Sequence, residues 1–255
     1  MLYQEVKNRI GYLILNRLEK KNALNYEYIK AIKATLDEMA QNIEVKVLVI
    51  KSNSDVFCAG ADLEYLISLK ENSFEDNLKD TKHIAELFDK IYNFPKLTIA
   101  QVEGHAIAGG CGIATAADFC YATPDAKFGY SEVKIGFIPA LVSVYLIKKI
   151  GETKARELLL TGKLVAGAEA EKLGLINGIV PIAEMTEYID TIASQLVTST
   201  SEISIRETKK LLVQLYDKSW LESIHLATEA NAKMRETADF KKGLQSFIDK
   251  EKLTW

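Results

Sequence analysis

The chain has 255 residues, 48% of them hydrophobic, enough for one large domain or a core with an appendage. Its formal net charge is −3 with acidic and basic residues interspersed, so no global basic field would draw nucleic acid. Cys58, Cys111 and Cys120 form no metal-ligand spacing and read as buried reduced thiols, and neither a signal peptide nor a membrane-spanning run is present. A soluble cytoplasmic protein without a bound metal is the expectation.

In chain order, Val6 to Asn16 reads as a hairpin turning at Asn8-Arg9, with Gly11 to Leu15 as its second strand. A polar loop from Arg17 ends in Asn25, a residue suited to cap a helix. That helix runs to about Asn42 on the apolar spacing Ile29, Ile32, Leu36 and Met39. Val45 to Lys51 is mostly apolar and reads as a central strand. Phe57 to Leu63 is a small-residue turn leading into a helix, and Asp76 to Asn93 is a long amphipathic helix closed by Pro95.

Leu97 to Val102 reads as a buried strand broken at Gly104. Gly109-Gly110 then opens a small-residue helix that ends at Asp118. Phe128 to Pro139 carries Glu132 between an aromatic strand and a Gly/Pro loop. Leu141 to Lys149 and Thr153 to Leu160 read as helices broken at Gly151. Ala166 to Gly174 is a short helix with a glycine just past its end, and Ile176 to Val180 is a strand. From Ile182 to Lys250 everything reads as helix, with breaks near Thr198 to Ser201 and Thr237 to Asp239.

The layout is α/β over roughly the first 180 residues, built from similar strand–strand–helix units. It divides into a core, 1–195, and a helical region, 196–255. Ile205, Leu211, Leu212, Leu215, Leu221, Ile224 and Leu226 are more apolar surface than the tail's own helices can cover. Subunit contacts and the core of the same chain are both open as its sink.

Two turns share a build: Ala59-Gly60-Ala61-Asp62 and Ala108-Gly109-Gly110-Cys111. Each precedes a helix, whose first N–H groups lack intrahelical partners and carry partial positive charge. One N–H from each turn, converging on one oxygen, would make an oxyanion hole, where loss of a donor costs ~3 kcal/mol. The other reading is that the glycines permit tight helix–strand packing. Glu132 is likewise open to two readings, a site carboxylate or a surface charge paired with Lys134.

The combination resembles the crotonase (enoyl-CoA hydratase/isomerase) superfamily over nearly the whole chain. Asn16 to Leu24 is similar to the family's CoA-contacting loop, Phe57 to Leu63 to its first oxyanion loop, and Pro95 to Asp118 to its second. Thr161 to Lys163, Ala168 to Leu175 and Phe240 to Lys250 are similar to its later segments. The resemblance implies a crotonase-like spiral of ββα units with a C-terminal helical trimerisation region, assembled as a homotrimer or a dimer of trimers. It implies an acyl-CoA thioester substrate and no cofactor beyond the coenzyme A that the substrate carries.

By position, the N–H groups of Ala61 and Gly109 would hold the thioester oxygen and Glu132 would move the proton. Lys21, Ala23, Ala59, Asp62, Leu63 and Gly110 match the region that receives CoA. Phe247 and Lys250 match tail positions that reach a neighbouring subunit's CoA. One departure stands out. The family's hydratases usually carry a second glutamate after the glycine turn, and here that position is Gly112.

The pattern then resembles two subgroups. Δ3,Δ2-enoyl-CoA isomerases keep only the Glu132-type acid. Methylglutaconyl-CoA hydratase-like members share runs similar to Ser131 to Gly136, Ile138 to Ala140, Val142-Ser143 and Tyr145. Hydration of a 2-enoyl-CoA by one glutamate is the leading expectation. Isomerisation, or acyl-CoA binding with little catalysis, is the alternative. Tyr130 and Tyr145 are candidate donors of the α proton. His105 either lines the pocket or bonds the loop, and Asp118 and Asp62 read as structural.

Overall fold

The computed structural model describes residues 1–255. β1 (Leu2–Lys7) and β2 (Ile10–Leu15) form the expected hairpin. Asn8 and Arg9 turn it with φ of 51° and 63°, the left-handed pair that matches strand twist. Asn25 caps α1 (Tyr26–Gln41) by accepting from Tyr28 N–H at 2.9 Å.

Three units follow. The first is β3 (Val47–Ser52), β4 (Val56–Cys58), α2 (Leu63–Ser68) and α3 (Phe74–Tyr92). The second is β5 (Leu97–Val102), β6 (His105–Ile107) and α4 (Gly109–Ala116). The third is β7 (Phe119–Ala122), β8 (Lys127–Gly129), a 3₁₀ turn over Glu132–Ile135, α5 (Ala140–Ile150) and α6 (Glu152–Thr161). Then come β9 (Val165–Ala166), α7 (Gly167–Leu173), β10 (Gly178–Ile179), α8 (Ile182–Ser199), α9 (Glu202–Leu215), α10 (Trp220–Met234) and α11 (Ala238–Asp249).

Each unit places its first strand in one sheet and its second in another. The six-stranded sheet runs β1-β2-β3-β5-β7-β10 and the four-stranded sheet β4-β6-β8-β9. Pairing is parallel except for β1–β2 and β8–β9. This is the anticipated ββα spiral. The sequence reading gives Phe57 and Cys58 of β4 to a turn, omits β6, β7 and β9, and extends the α4 helix to Asp118, two residues beyond its end at Ala116. Only Asp118 interrupts the small and apolar residues between Ala114 and Ala122, and a strand of four residues has no period of its own to separate it from a buried helix.

The inner strands β2, β3 and β5 of the large sheet are buried on both faces, and alternation decides which face each side chain meets. Leu13, Leu15, Leu48 and Ile50 join a 40-residue core with α1, α3, α4 and α5. Ile10, Tyr12, Ile14, Val47 and Val49 point the other way, onto Met185, Ile189, Ala193 and Val197 of α8. Each large apolar side chain so buried contributes roughly 1.5–3 kcal/mol.

Buried lysines close helix ends. Lys96 donates to Met39 O and Asn42 O at the end of α1, at 3.0 and 2.6 Å. Lys149 donates to Thr115 O and Ala117 O at the end of α4, both at 3.0 Å. Cations there complement the negative end of the helix dipole. Asp118 is structural, accepting from Thr98 N–H, Thr98 Oγ1 and Lys209 Nζ at 2.8, 2.9 and 2.6 Å.

The tail forms the expected helices, but α9, α10 and α11 contain no buried residue. Ile205 packs against the α8 side of the core, but Leu212, Leu221 and Ile224 stay exposed, with Trp220 and Phe247 beside them at 78% and 83%, so folding back on the chain absorbs only part of this surface. No helix is long and apolar enough to cross a membrane.

Candidate active site

The two glycine turns meet. Gly60, at φ +90°, sits so close to the second turn that a Cβ there would lie 3.0 Å from Ala108 Cβ and 3.7 Å from Gly109 N. The first turn is fastened to the loop before α1. Leu24 N–H donates to Gly60 O at 2.7 Å, Asp62 N–H to Leu24 O at 2.8 Å, and Ala59 N–H to Lys21 O at 3.0 Å. Leu24 thus pairs with Ala61 as a parallel bridge, through the groups on either side of Ala61. In an extended strand successive N–H groups alternate in direction, so the N–H of Ala61 points away from Leu24.

In the second turn the two glycines divide the work. A Cβ on Gly110 would meet Cys58 O at 2.3 Å, so only glycine lets α4 approach β4 this closely. Gly109 is the first residue of α4, and its N–H has no intrahelical acceptor. Ala108 before it holds φ +50° and ψ −121°, a conformation that costs of order 1–3 kcal/mol for a residue with a Cβ.

Ala61, Gly109 and Glu132 line one mostly apolar cavity of about 310 Å³. Ala59, Leu63 and Phe88 line it too, with Ile138 to Val142 along another wall. Glu132 makes no ion pair with Lys134, and its Oε2 is buried without a hydrogen-bond partner. Burial raises its pKa above that of an ordinary glutamate, against a smaller opposing effect of its own backbone N–H. The surface-charge reading of Glu132 is therefore excluded.

Glu132 is held from both sides. Tyr130, fully buried, shares a 2.7 Å hydrogen bond with Thr115 Oγ1 on α4. Phe137 N–H donates back to Glu132 O at 3.0 Å across the turn closed by Gly136 at φ +76°.

The chain belongs to the enoyl-CoA hydratase/isomerase family. The family profile of that description matches residues 5–255. A Thermus thermophilus protein named "Putative enoyl-CoA hydratase" is 38% identical over 249 residues, covering 98% of this chain and 98% of its own. The 2,3-dehydroadipyl-CoA hydratase of Escherichia coli is 27% identical over 245 residues, 96% of this chain and 94% of its own. The crystal structure of an enoyl-CoA hydratase from Shewanella pealeana matches with a TM-score of 0.94 at 29% identity, over 100% of this chain and 95% of that one.

Against that family's usual pair of glutamates, the position after the glycine turn is filled by packing. A Cβ on Gly112 would lie 2.6 Å from Val142 Cγ1 and 2.8 Å from Phe88 Cε1. Phe88 and Val142 also line the cavity, so they close it where a second carboxylate would enter.

Other anticipated residues fall outside the cavity lining. Tyr130 is sealed in the core, and Tyr145 packs edge-on against Tyr92 and Phe88, so neither is placed to donate a proton at Glu132. His105 accepts from Lys127 N–H on the outer side of β6. Lys21, Ala23, Asp62 and Gly110 are not among the lining residues, Phe247 belongs to α11, and Lys250 caps its C-terminus. The thiols are unpaired and buried, and burial pushes Cys58 up to about 12.

Asp62 caps α2 and ion-pairs with buried Arg17 at 2.7 Å. Burial raises its pKa, but the Arg17 hydrogen bond and two backbone N–H groups outweigh it and hold the net value low. Asn22, completely buried, accepts from Arg17 N–H at 2.8 Å and donates to Ser52 Oγ at 2.8 Å and Phe57 O at 3.1 Å. The sequence reading passed over Asn22, because a polar residue in a polar loop carries no mark of burial.

Proposed function

We propose that this chain adds water syn to 2-enoyl-CoA thioesters, or removes it from 3-hydroxyacyl-CoAs, with Glu132 as the single carboxylate that moves protons. The observation that carries the reading is the buried, unpartnered Oε2 of Glu132 on the same cavity as the two turns. Ionised Glu132 takes a proton from water, and the hydroxide adds at C3. The electron pair moves onto the thioester oxygen, held by the N–H groups of Ala61 and Gly109. Protonated Glu132 then returns the proton to C2, leaving one water added and the carboxylate regenerated.

Coenzyme A enters as part of the substrate, and no further cofactor takes part. Its nucleotide end lies along Lys21, Ala23, Ala59 and Leu63, with Asp62 and Gly110 shaping the two turns behind the thioester and Phe247 and Lys250 contributed from a neighbouring copy. Region 1–195 carries the site and 196–255 the assembly surface of a homotrimer or dimer of trimers. The exposed Leu221 and Phe247 support that role. Sedimentation at micromolar concentration should give the mass of a trimer or hexamer, and a monomer would overturn the assembly. The protein works in the cytoplasm.

Filled space at Gly112 favours a second reading, Δ3,Δ2-enoyl-CoA isomerisation, in which Glu132 moves a proton between two carbons. Separate incubations with 2-hexenoyl-CoA and 3-hexenoyl-CoA distinguish the two. A hydratase bleaches the conjugated-thioester absorbance of the first, whereas an isomerase develops it from the second. Tight acyl-CoA binding with neither change would leave a binding protein.

A further inference from the structure

The cavity wall formed by α2 and α3 carries a polar pair. Tyr65 of α2 and Asp80 of α3 both line the cavity, and the Tyr65 hydroxyl donates to Asp80 Oδ1. Asp80 has no cation beside it, and the only charged residues lining the cavity are Asp80 and Glu132, both acids. The Tyr65 proton is committed to Asp80, so the pair turns oxygen acceptors towards the acyl chain.

Charge decides what such a wall accepts. A carboxylate on the acyl chain would meet two acids and no lysine, arginine or histidine in the lining. Like charges in a partly dry cavity repel strongly, and beside the committed Tyr65 the side chains of the lining offer an anion only the neutral hydroxyls of Thr81 and Ser131 in place of its water. A hydroxyl, by contrast, can donate to the free lone pairs of Tyr65 or Asp80. An alkyl end meets the apolar remainder, including Leu66, Ile84 and Leu141.

We infer that Tyr65 and Asp80 make this cavity selective for enoyl-CoAs with an uncharged acyl chain, hydroxylated or plain, and reject chains ending in a carboxylate. The inference rests on the acyl-CoA reading of the site. It separates this chain from the carboxylated substrate that the name of its Escherichia coli relative describes, and from the methylglutaconyl-type likeness in the sequence.

Three six-carbon substrates differing only at the far carbon test it: 2-hexenoyl-CoA, 6-hydroxy-2-hexenoyl-CoA and 2,3-dehydroadipyl-CoA. In the full-length protein, kcat/KM for the dicarboxylic substrate should fall at least tenfold below that for 2-hexenoyl-CoA. The hydroxylated chain should equal or exceed the plain one. Asp80→Asn should narrow the carboxylate gap at least fivefold, and Tyr65→Phe should remove any preference for the hydroxyl. A gap below tenfold, or one that Asp80→Asn leaves intact, overturns the inference. Calorimetric affinities for hexanoyl-, 6-hydroxyhexanoyl- and adipyl-CoA read the same ratios without turnover. Failure of hydration is thereby distinguished from failure of the charge preference.

Discussion

Glu132→Gln lowers kcat by about a hundredfold or more, the usual share of a positioned general base, while leaving the fold at least as stable. The two effects share one cause. In the folded protein burial raises the pKa of Glu132, so the unfolded chain releases that proton at lower pH than the folded one. Stability therefore falls as pH rises from the ordinary glutamate value through the raised one, and the deficit persists above it. A neutral amide removes the deficit. The variant should melt no lower than wild type at neutral pH, because an unpartnered neutral group costs less to bury than an unpartnered charge.

The same shift sets the acid limb of catalysis. Only ionised Glu132 takes a proton from water, so kcat/KM should drop as pH falls through its raised pKa. That limb should lie above the range of an unperturbed carboxylate and vanish in Glu132→Gln. A pH series of initial rates and a calorimetric melt of both proteins measure this. Wild-type turnover in the variant would remove Glu132 from the mechanism.

Gly112→Glu, which supplies the family's second carboxylate, lowers stability and brings no gain in hydration. Its Cβ would overlap Val142 and Phe88 at 2.6 and 2.8 Å, and both are buried core side chains. Overpacking of this kind costs about 1–3 kcal/mol, and forcing an unpaired carboxylate in beside it adds to that. At roughly 2–4 °C per kcal/mol for a chain of this size, overpacking alone should lower the melting temperature by about 2–12 °C. Val142→Ala in the same background removes the nearest clash and should recover part of the loss, a coupling that a double-mutant cycle reads directly. A stable Gly112→Glu protein with raised hydratase activity would show that the second acid, and not packing, limits this site.

Much of this was legible in the residues themselves. The alternation in β2 and β3, the spacing of Ile29, Ile32, Leu36 and Met39, and the Asn25 cap are local patterns, and each element formed where it was read. β9, of two residues, left no pattern to read. Tyr130 was misjudged for a different reason. A tyrosine two residues from a candidate site acid suggests chemistry, whereas its hydroxyl is spent on Thr115 and its ring on the core. Tyr65 and Asp80 drew no notice, since they lie 15 residues apart in stretches without a motif.

The sequence by itself determined the two small-residue turns, the helices they open and the lone acid. A missing Cβ, a free helix N-terminus and a spacing of apolar residues are properties of a few neighbouring positions. Only the tertiary structure decided that both turns border one cavity, that Glu132 brings a buried carboxylate oxygen to it instead of pairing Lys134, and that Phe88 and Val142 fill the space at Gly112. Those outcomes depend on contacts between segments tens of residues apart, and such contacts exist only once strand register and helix packing have brought the segments together.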